Sequence, residues 1–158
     1  MIGARHLRIL RVLYERLNPA GINWVVTGSC SFALQGLPVE PNDIDIQSDE
    51  AGVYAIERMF ADRVTRPVAF SSKPNIRSHF GALDIDGIRV ELIGDIQKRE
   101  ADEPWDEPPD LNRFKRRVEI DGMQIPVLSL EYEAQAYRKM GRFERAEMLR
   151  NWLAAHVR

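Results

Sequence analysis

The sequence predicts an α+β fold: a mixed β-sheet core flanked by helices, with a C-terminal helical pair. Three observations lead there. Short β-branched runs alternate with amphipathic helical stretches through the first half of the chain. Two Asp-Gly pairs, Asp86-Gly87 and Asp121-Gly122, each join strand-like runs, 78–85 with 88–93 and 118–120 with 123–127; such pairs suit tight turns that need positive φ. Two helical patterns follow, over 130–140 and 143–157, separated at Gly141. With 158 residues and 44% hydrophobic content, one domain is expected over 1–158, its core at 22–128 and its helices at 129–158.

The N-terminal helix is predicted over 2–17, where Leu7, Leu10, Val12 and Leu13 interleave with Arg5, Arg8 and Arg11, and Asn18-Pro19 and Gly21 stop it. This is an amphipathic pattern and not the unbroken apolar run of a signal peptide. A strand at 24–27 follows, and Ser29 is placed to cap a helix that Gly36-Leu37-Pro38 terminates. The next strand is 43–47. Ser48-Asp49-Glu50 starts a helix whose apolar stripe is Val53, Ile56, Met59 and Phe60, ending near residue 62. Residues 64–70 read as a strand that Pro67 confines to a sheet edge. Charged and carrying Pro104, Pro108 and Pro109, residues 100–117 read as an irregular surface loop, either a lid or a connection. In the last helix Phe143, Ala146, Leu149, Trp152 and Leu153 form one buried face.

With 22 basic and 24 acidic residues the formal charge is −2, so the chain lacks the basic excess of a nucleic-acid clamp. No run reaches membrane-spanning length, and no membrane partner is expected. Cys30 is the lone cysteine, without Cys or His at zinc-ligand spacing; it reads as a small buried residue in a reducing cytoplasm.

The chemistry concentrates at Val25-Val26-Thr27-Gly28-Ser29 and, fourteen residues later, Asp43-Ile44-Asp45-Ile46. A strand's period of two turns both isoleucines inward and aims Asp43 and Asp45 from one face, within reach of one hard cation. Mg²⁺ relieves the repulsion between the two carboxylates and leaves positions for water and phosphate oxygens. Gly28 lets the backbone approach a ligand closely, and Ser29 offers a hydroxyl and an amide at a helix start that favours anions, phosphate above all.

These residues resemble the nucleotidyltransferase superfamily that includes DNA polymerase β, the antibiotic nucleotidyltransferases and small stand-alone members. The match is Gly28-Ser29 at a strand end, a helix, Asp43-Ile44-Asp45 on the next strand and a third acid on a later one. The resemblance implies transfer of a nucleoside monophosphate from a nucleoside triphosphate such as ATP to a hydroxyl, with two Mg²⁺ ions and release of pyrophosphate. It makes Asp43, Asp45 and Glu91 the metal-binding and catalytic acids, with Glu91 also a base toward the acceptor; superfamily members often have Asp at this place. Asp84 is the alternative third acid. Lys73, Arg77 and Lys139 are candidate phosphate contacts beside Gly28 and Ser29, each weighed against an ordinary surface cation. His79 is either a nucleotide or acid partner or a strand residue satisfied locally. Trp105 either stacks on a ligand or anchors its loop, the anchor being preferred. The acceptor, a small molecule or a partner protein, is left unassigned. The alternative is a nucleotide-binding or antitoxin-like interaction module with the fold and little or no turnover.

Overall fold

A computed structural model describes residues 2–156. The elements run α1 (Ala4–Leu17), β1 (Trp24–Thr27), α2 (Gly28–Leu34), β2 (Ile44–Ser48), α3 (Glu50–Met59), a 3₁₀ turn (Ala61–Arg63), β3 (Val64–Ser72), β4 (Ile76–Ile85), β5 (Ile88–Lys98), α4 (Leu111–Phe114), β6 (Lys115–Ile120), β7 (Met123–Leu128), α5 (Leu130–Lys139) and α6 (Phe143–His156). The seven strands form one mixed sheet in the order β3-β4-β5-β2-β1-β7-β6. β5 runs parallel to β2 and β7 parallel to β1; the other neighbours are antiparallel. The expected α+β class and C-terminal helical pair are those observed, and β3 with Pro67 lies at the sheet edge. The C-terminal limit expected for the last helix, Val157, lies outside the described residues.

The main apolar cluster joins α1 (Ile9, Leu10, Leu13, Leu17) and α3 (Val53, Ile56) to the sheet through Val26, Ile44, Ile46, Val90, Leu92 and Val127. A second cluster seats α5 and α6 on α2 through Phe32, Leu130, Ala134, Tyr137, Ala146 and Leu149. Both hairpins turn as the Asp-Gly pairs require, with Asp86 at φ 52° and Asp121 at φ 52°.

Several expected details change. α2 starts at Gly28 behind Thr27, so Ser29 lies in its first turn and is not its cap. β2 starts at Ile44, which leaves Asp43 just ahead of the strand. β5 continues past Gly94 to Lys98: Gly94 is where α3 presses on the sheet, since a Cβ there would meet Val53 Cγ2 at 2.5 Å. The segment expected to be loop to residue 117 holds α4 and the start of β6. Phe143, expected in the buried face of α6, is 65% exposed and stands outside the cluster that Ala146, Leu149, Trp152 and Leu153 join, and Val12 of α1 also faces out.

β5 carries one extra residue opposite β4. Arg77 pairs with Gln97 and His79 with Gly94, so two steps on β4 match three on β5, and Asp95 takes up the surplus at φ 47°. Such a bulge reverses which side chains face which way beyond it. Glu91 and Ile93 before the bulge and Ile96 and Lys98 after it therefore line the same cavity.

Candidate active site

The parallel register of β2 and β5 sets Asp45 directly opposite Glu91. Asp45 lies two residues before Gln47 on the same strand face, and both line a cavity of about 430 Å³ between the sheet and α5. Its walls include Ser78 and Phe80 of β4, Leu128 of β7, and Glu133, Ala136, Tyr137 and Met140 of α5. A contiguous recess of about 310 Å³ runs toward β3 past Lys73, Arg89 and Glu91. On another side, about 460 Å³ opens between Ser29 and Phe32 of α2, Glu40 and Asn42 before β2, and Arg145 of α6.

Gly28 is the hinge of this arrangement. Its φ is +73°, and a Cβ there would lie 2.5 Å from Asp45 Oδ2, so only glycine lets the start of α2 pass this close to the carboxyl. Burial raises the Asp45 pKa to about 7, helped by the charge of Glu91, a side-chain hydrogen bond with it and the charge of Asp43; Arg145 pulls the other way. Asp45 Oδ1 is buried without a hydrogen-bond partner. Glu91 is itself held by Arg89, whose Nε donates to Glu91 Oε2 at 3.0 Å.

A hard divalent cation fits these groups. Two carboxyls facing each other across the β2–β5 register, one buried with an unpartnered oxygen, form an oxygen donor set that a hard cation would complete. Asp43, one step outside the strand, adds field to that pair. Among the described residues no three Asp, Glu, His or Cys side chains converge as a metal cluster, so the expected trio is present as a close pair with a third acid nearby.

The remaining candidates separate cleanly. Lys73 lines both connected cavities and is exposed. Arg77 is engaged: Nε donates to Gln97 Oε1 at 2.9 Å, and its guanidinium lies 4.5 Å from the Trp105 ring centre. Lys139 is ion-paired to Asp106. Trp105 is held between Arg77 and Arg99, the latter at 4.2 Å, which is the anchor arrangement. His79 points to the opposite sheet face, with Tyr54 OH 3.2 Å from Nδ1 and Glu50 Oε1 3.3 Å from Nε2, so it is satisfied locally, away from the acids. Asp84 is exposed and accepts the Gly87 N–H at 2.9 Å, a turn function. Cys30 is buried, its thiol pushed up to about 12.

Five residues not singled out from sequence complete the site. Glu133 of α5 is 2% exposed; its Oε1 accepts from Thr27 Oγ1 and from the Gly28 N–H at 3.0 Å, bolting α5 to the β1–α2 junction. Burial raises its pKa to about 8, so the carboxyl is largely neutral at pH 7, which reduces the cost of leaving Oε2 unpartnered. Lys98, 4% exposed, donates to Tyr132 OH at 3.1 Å, and burial lowers its pKa to about 8. Gln47 Oε1 is the third buried oxygen without a partner. Arg142 lines the main cavity, and Arg145 reaches the field of both Asp45 and Glu133. Glu133 has the sequence signature of an ordinary first-turn helix acid, and Lys98 faces the site only through the Asp95 bulge.

A candidate nucleotidyltransferase from Thermotoga maritima, known from its crystal structure, is 60% identical, with 99% of this chain and 97% of that chain covered and a TM-score of 0.85. A crystal structure of ANT(2″)-Ia in complex with adenylyl-2″-tobramycin is 13% identical, covering 98% of this chain and 100% of that one, with a TM-score of 0.57. The solution structure of the antibiotic-resistance factor ANT(2″)-Ia is 15% identical, with 98% and 94% covered and a TM-score of 0.55. At those identities the last two show the shared fold. No curated protein matches at a significant level. Among the described residues no helix is long and apolar enough to cross a membrane. The aminoglycoside-2″-adenylyltransferase family model matches residues 9–152, and the chain belongs to that family, within the nucleotidyltransferase superfamily.

Proposed function

We propose that this protein transfers a nucleoside monophosphate from a nucleoside triphosphate, ATP among them, to a hydroxyl of a small molecule or a protein side chain. The observation that carries the reading is the buried, unpartnered Asp45 Oδ1 opposite Glu91, in a cleft whose backbone is shaped by Gly28. Asp45 and Glu91, with Asp43 beside them, would hold Mg²⁺, two ions in the full site, and the metal would supply charge neutralisation at the α-phosphate and at the attacking and leaving oxygens.

The chain's own residues have distinct tasks. The amide and hydroxyl of Ser29 in the first turn of α2, together with Arg145, bind the β- and γ-phosphates. Lys73 and Arg142 supply positive charge at the mouth of the main cavity. Gly28, pinned by Glu133, keeps the β1–α2 junction against Asp45 so that the reacting phosphate is oriented in advance. Glu91 takes the proton of the acceptor hydroxyl as its oxygen bonds to the α-phosphorus; the bond from that phosphorus to the bridging oxygen breaks, and pyrophosphate leaves with the electron pair.

A second reading rests on the ion pair of Glu91 with Arg89 and on the lack of a converged three-acid cluster among the described residues: a nucleotide-binding or antitoxin-like module with little or no turnover. Pyrophosphate release separates the two. With Mg²⁺, a nucleoside triphosphate and a panel of hydroxyl acceptors, the enzyme releases pyrophosphate and Glu91→Gln does not. Binding without release across the panel favours the module, and absence of nucleotide binding contradicts both.

A further inference from the structure

Gln47 is unexplained by the transfer chemistry. It is 6% exposed, lines the same cavity as Asp45, and buries its amide oxygen without a hydrogen-bond partner. A leucine or methionine would fill that space without stranding a polar atom, so the position carries a standing cost that a bound ligand can offset.

The surrounding residues indicate which ligand. On the proposed reading, the α-phosphate sits at Asp45 and the phosphate tail runs toward Ser29 and Arg145, which line a separate recess. The nucleoside end is then left for the main cavity. Its volume of about 430 Å³ is in the range that holds small ligands. Ile93, Ile96, Leu128 and Met140 offer apolar surface to a planar ring, and Gln47 lies about 7 Å beyond Asp45 along the strand. Lys98 is buried in the same cavity, so a ligand ammonium would meet a like charge there, whereas a neutral aromatic amino group would not.

We propose that Gln47 reads the nucleobase edge, its amide oxygen accepting from an exocyclic amino group while its amide N–H donates to the neighbouring ring nitrogen. This deepens the nucleotidyl-transfer reading and rests on it. On the edge away from the sugar, adenine (N6–H beside N1) and cytosine (N4–H beside N3) present that donor and acceptor side by side, whereas guanine and uracil present there a carbonyl beside a protonated ring nitrogen, guanine's amino group lying at C2. The site therefore selects donors whose amino group is at purine C6 or pyrimidine C4.

Equilibrium binding with Mg²⁺ to ATP, CTP, GTP and UTP, and to inorganic tripolyphosphate, tests this on the wild-type chain, Gln47→Leu and Gln47→Met. The wild type binds ATP and CTP about tenfold or more tighter than GTP and UTP, the discrimination one good paired contact provides. Both variants bind all four within about threefold of one another, leave tripolyphosphate affinity unchanged, and melt no lower than the wild type because a stranded oxygen is gone. Equal binding of the four nucleotides by the wild type, or an undiminished preference in the variants, overturns the assignment of Gln47 while leaving the donor reading intact. If neither nucleotides nor tripolyphosphate bind, the donor reading fails and this proposal fails with it. Should both variants fail to fold, the wild-type base preference alone decides.

Discussion

The two faces of the sheet are built from the same strands and behave oppositely. Against α1 and α3, Ile44, Ile46, Val90 and Leu92 close a dry core, with Ile9, Leu10 and Leu13 also fully buried. Toward α5, the alternate residues of those strands are Asp45, Gln47 and Glu91, and the three buried side-chain oxygens found without partners among the described residues, on Asp45, Gln47 and Glu133, all border one cavity. One face is arranged for stability; the other forgoes stability to present acceptors and charge. Local departures from good packing rules concentrate where a ligand can compensate them.

The largest test of that contrast is a pair of variants. Asp45→Asn should lower turnover by on the order of a thousandfold, as loss of a group that organises transition-state charge does, while the melting temperature holds or rises because a buried carboxyl is removed. Leu13→Ala on the closed face should do the reverse, costing about 2–5 kcal/mol in denaturant unfolding while the folded fraction keeps its nucleotide affinity. Comparable stability losses from both would erase the distinction between faces. Next comes Gly28→Ala, which forces a Cβ against Asp45 and an unfavourable φ: about 1–2 kcal/mol of stability and most of the turnover should go. A fully active Gly28→Ala enzyme would show that the close approach is incidental.

A subtler effect concerns pH. Burial holds the Glu133 pKa at about 8, above its ordinary 4.5, so folding favours its protonated form. Its contribution is complete below the ordinary value and is lost as pH rises through about 8, up to about 1.4 kcal/mol per pH unit in that window. Glu133→Gln keeps an oxygen for Thr27 and Gly28, and its stability should vary less with pH between about 5 and 8 than the wild type's. Parallel profiles would place the titration elsewhere. The smallest effect is expected at Asp84→Asn, within about 0.5 kcal/mol and without change in turnover, since Asp84 serves a surface turn. A loss of turnover there exceeding that of Glu91→Gln would reverse the assignment of the third acid.

The closed face and the motif core were legible because their signals are local. Period-two alternation in Asp43-Ile44-Asp45-Ile46, the helix start at Asp49 and the Asp-Gly turns each depend on a few neighbouring residues, and Asp49 does accept the Gly52 N–H at 2.6 Å. What escaped depends on long-range pairing. Lys98 faces the cavity because Asp95 bulges opposite β4, and Glu133 matters because α5 packs across Thr27 and Gly28, 105 or more positions away. The cations expected at the phosphates show the same limit. Arg77 and Lys139 are drawn to Gln97, Trp105 and Asp106, while Arg142 and Arg145, which no sequence motif singles out, reach the site.

The central claim is that the Asp45–Glu91 pair is a divalent-cation site completed by a nucleotide. Electron paramagnetic resonance titration of Mn²⁺, with and without a nucleotide analogue carrying a methylene between the α- and β-phosphates, tests it most directly on the wild type and the Asp45→Asn, Glu91→Gln double variant. The account predicts Mn²⁺ binding that tightens with the analogue in the wild type and disappears in the double variant, with both proteins folded. Equal Mn²⁺ occupancy in the two proteins would contradict it.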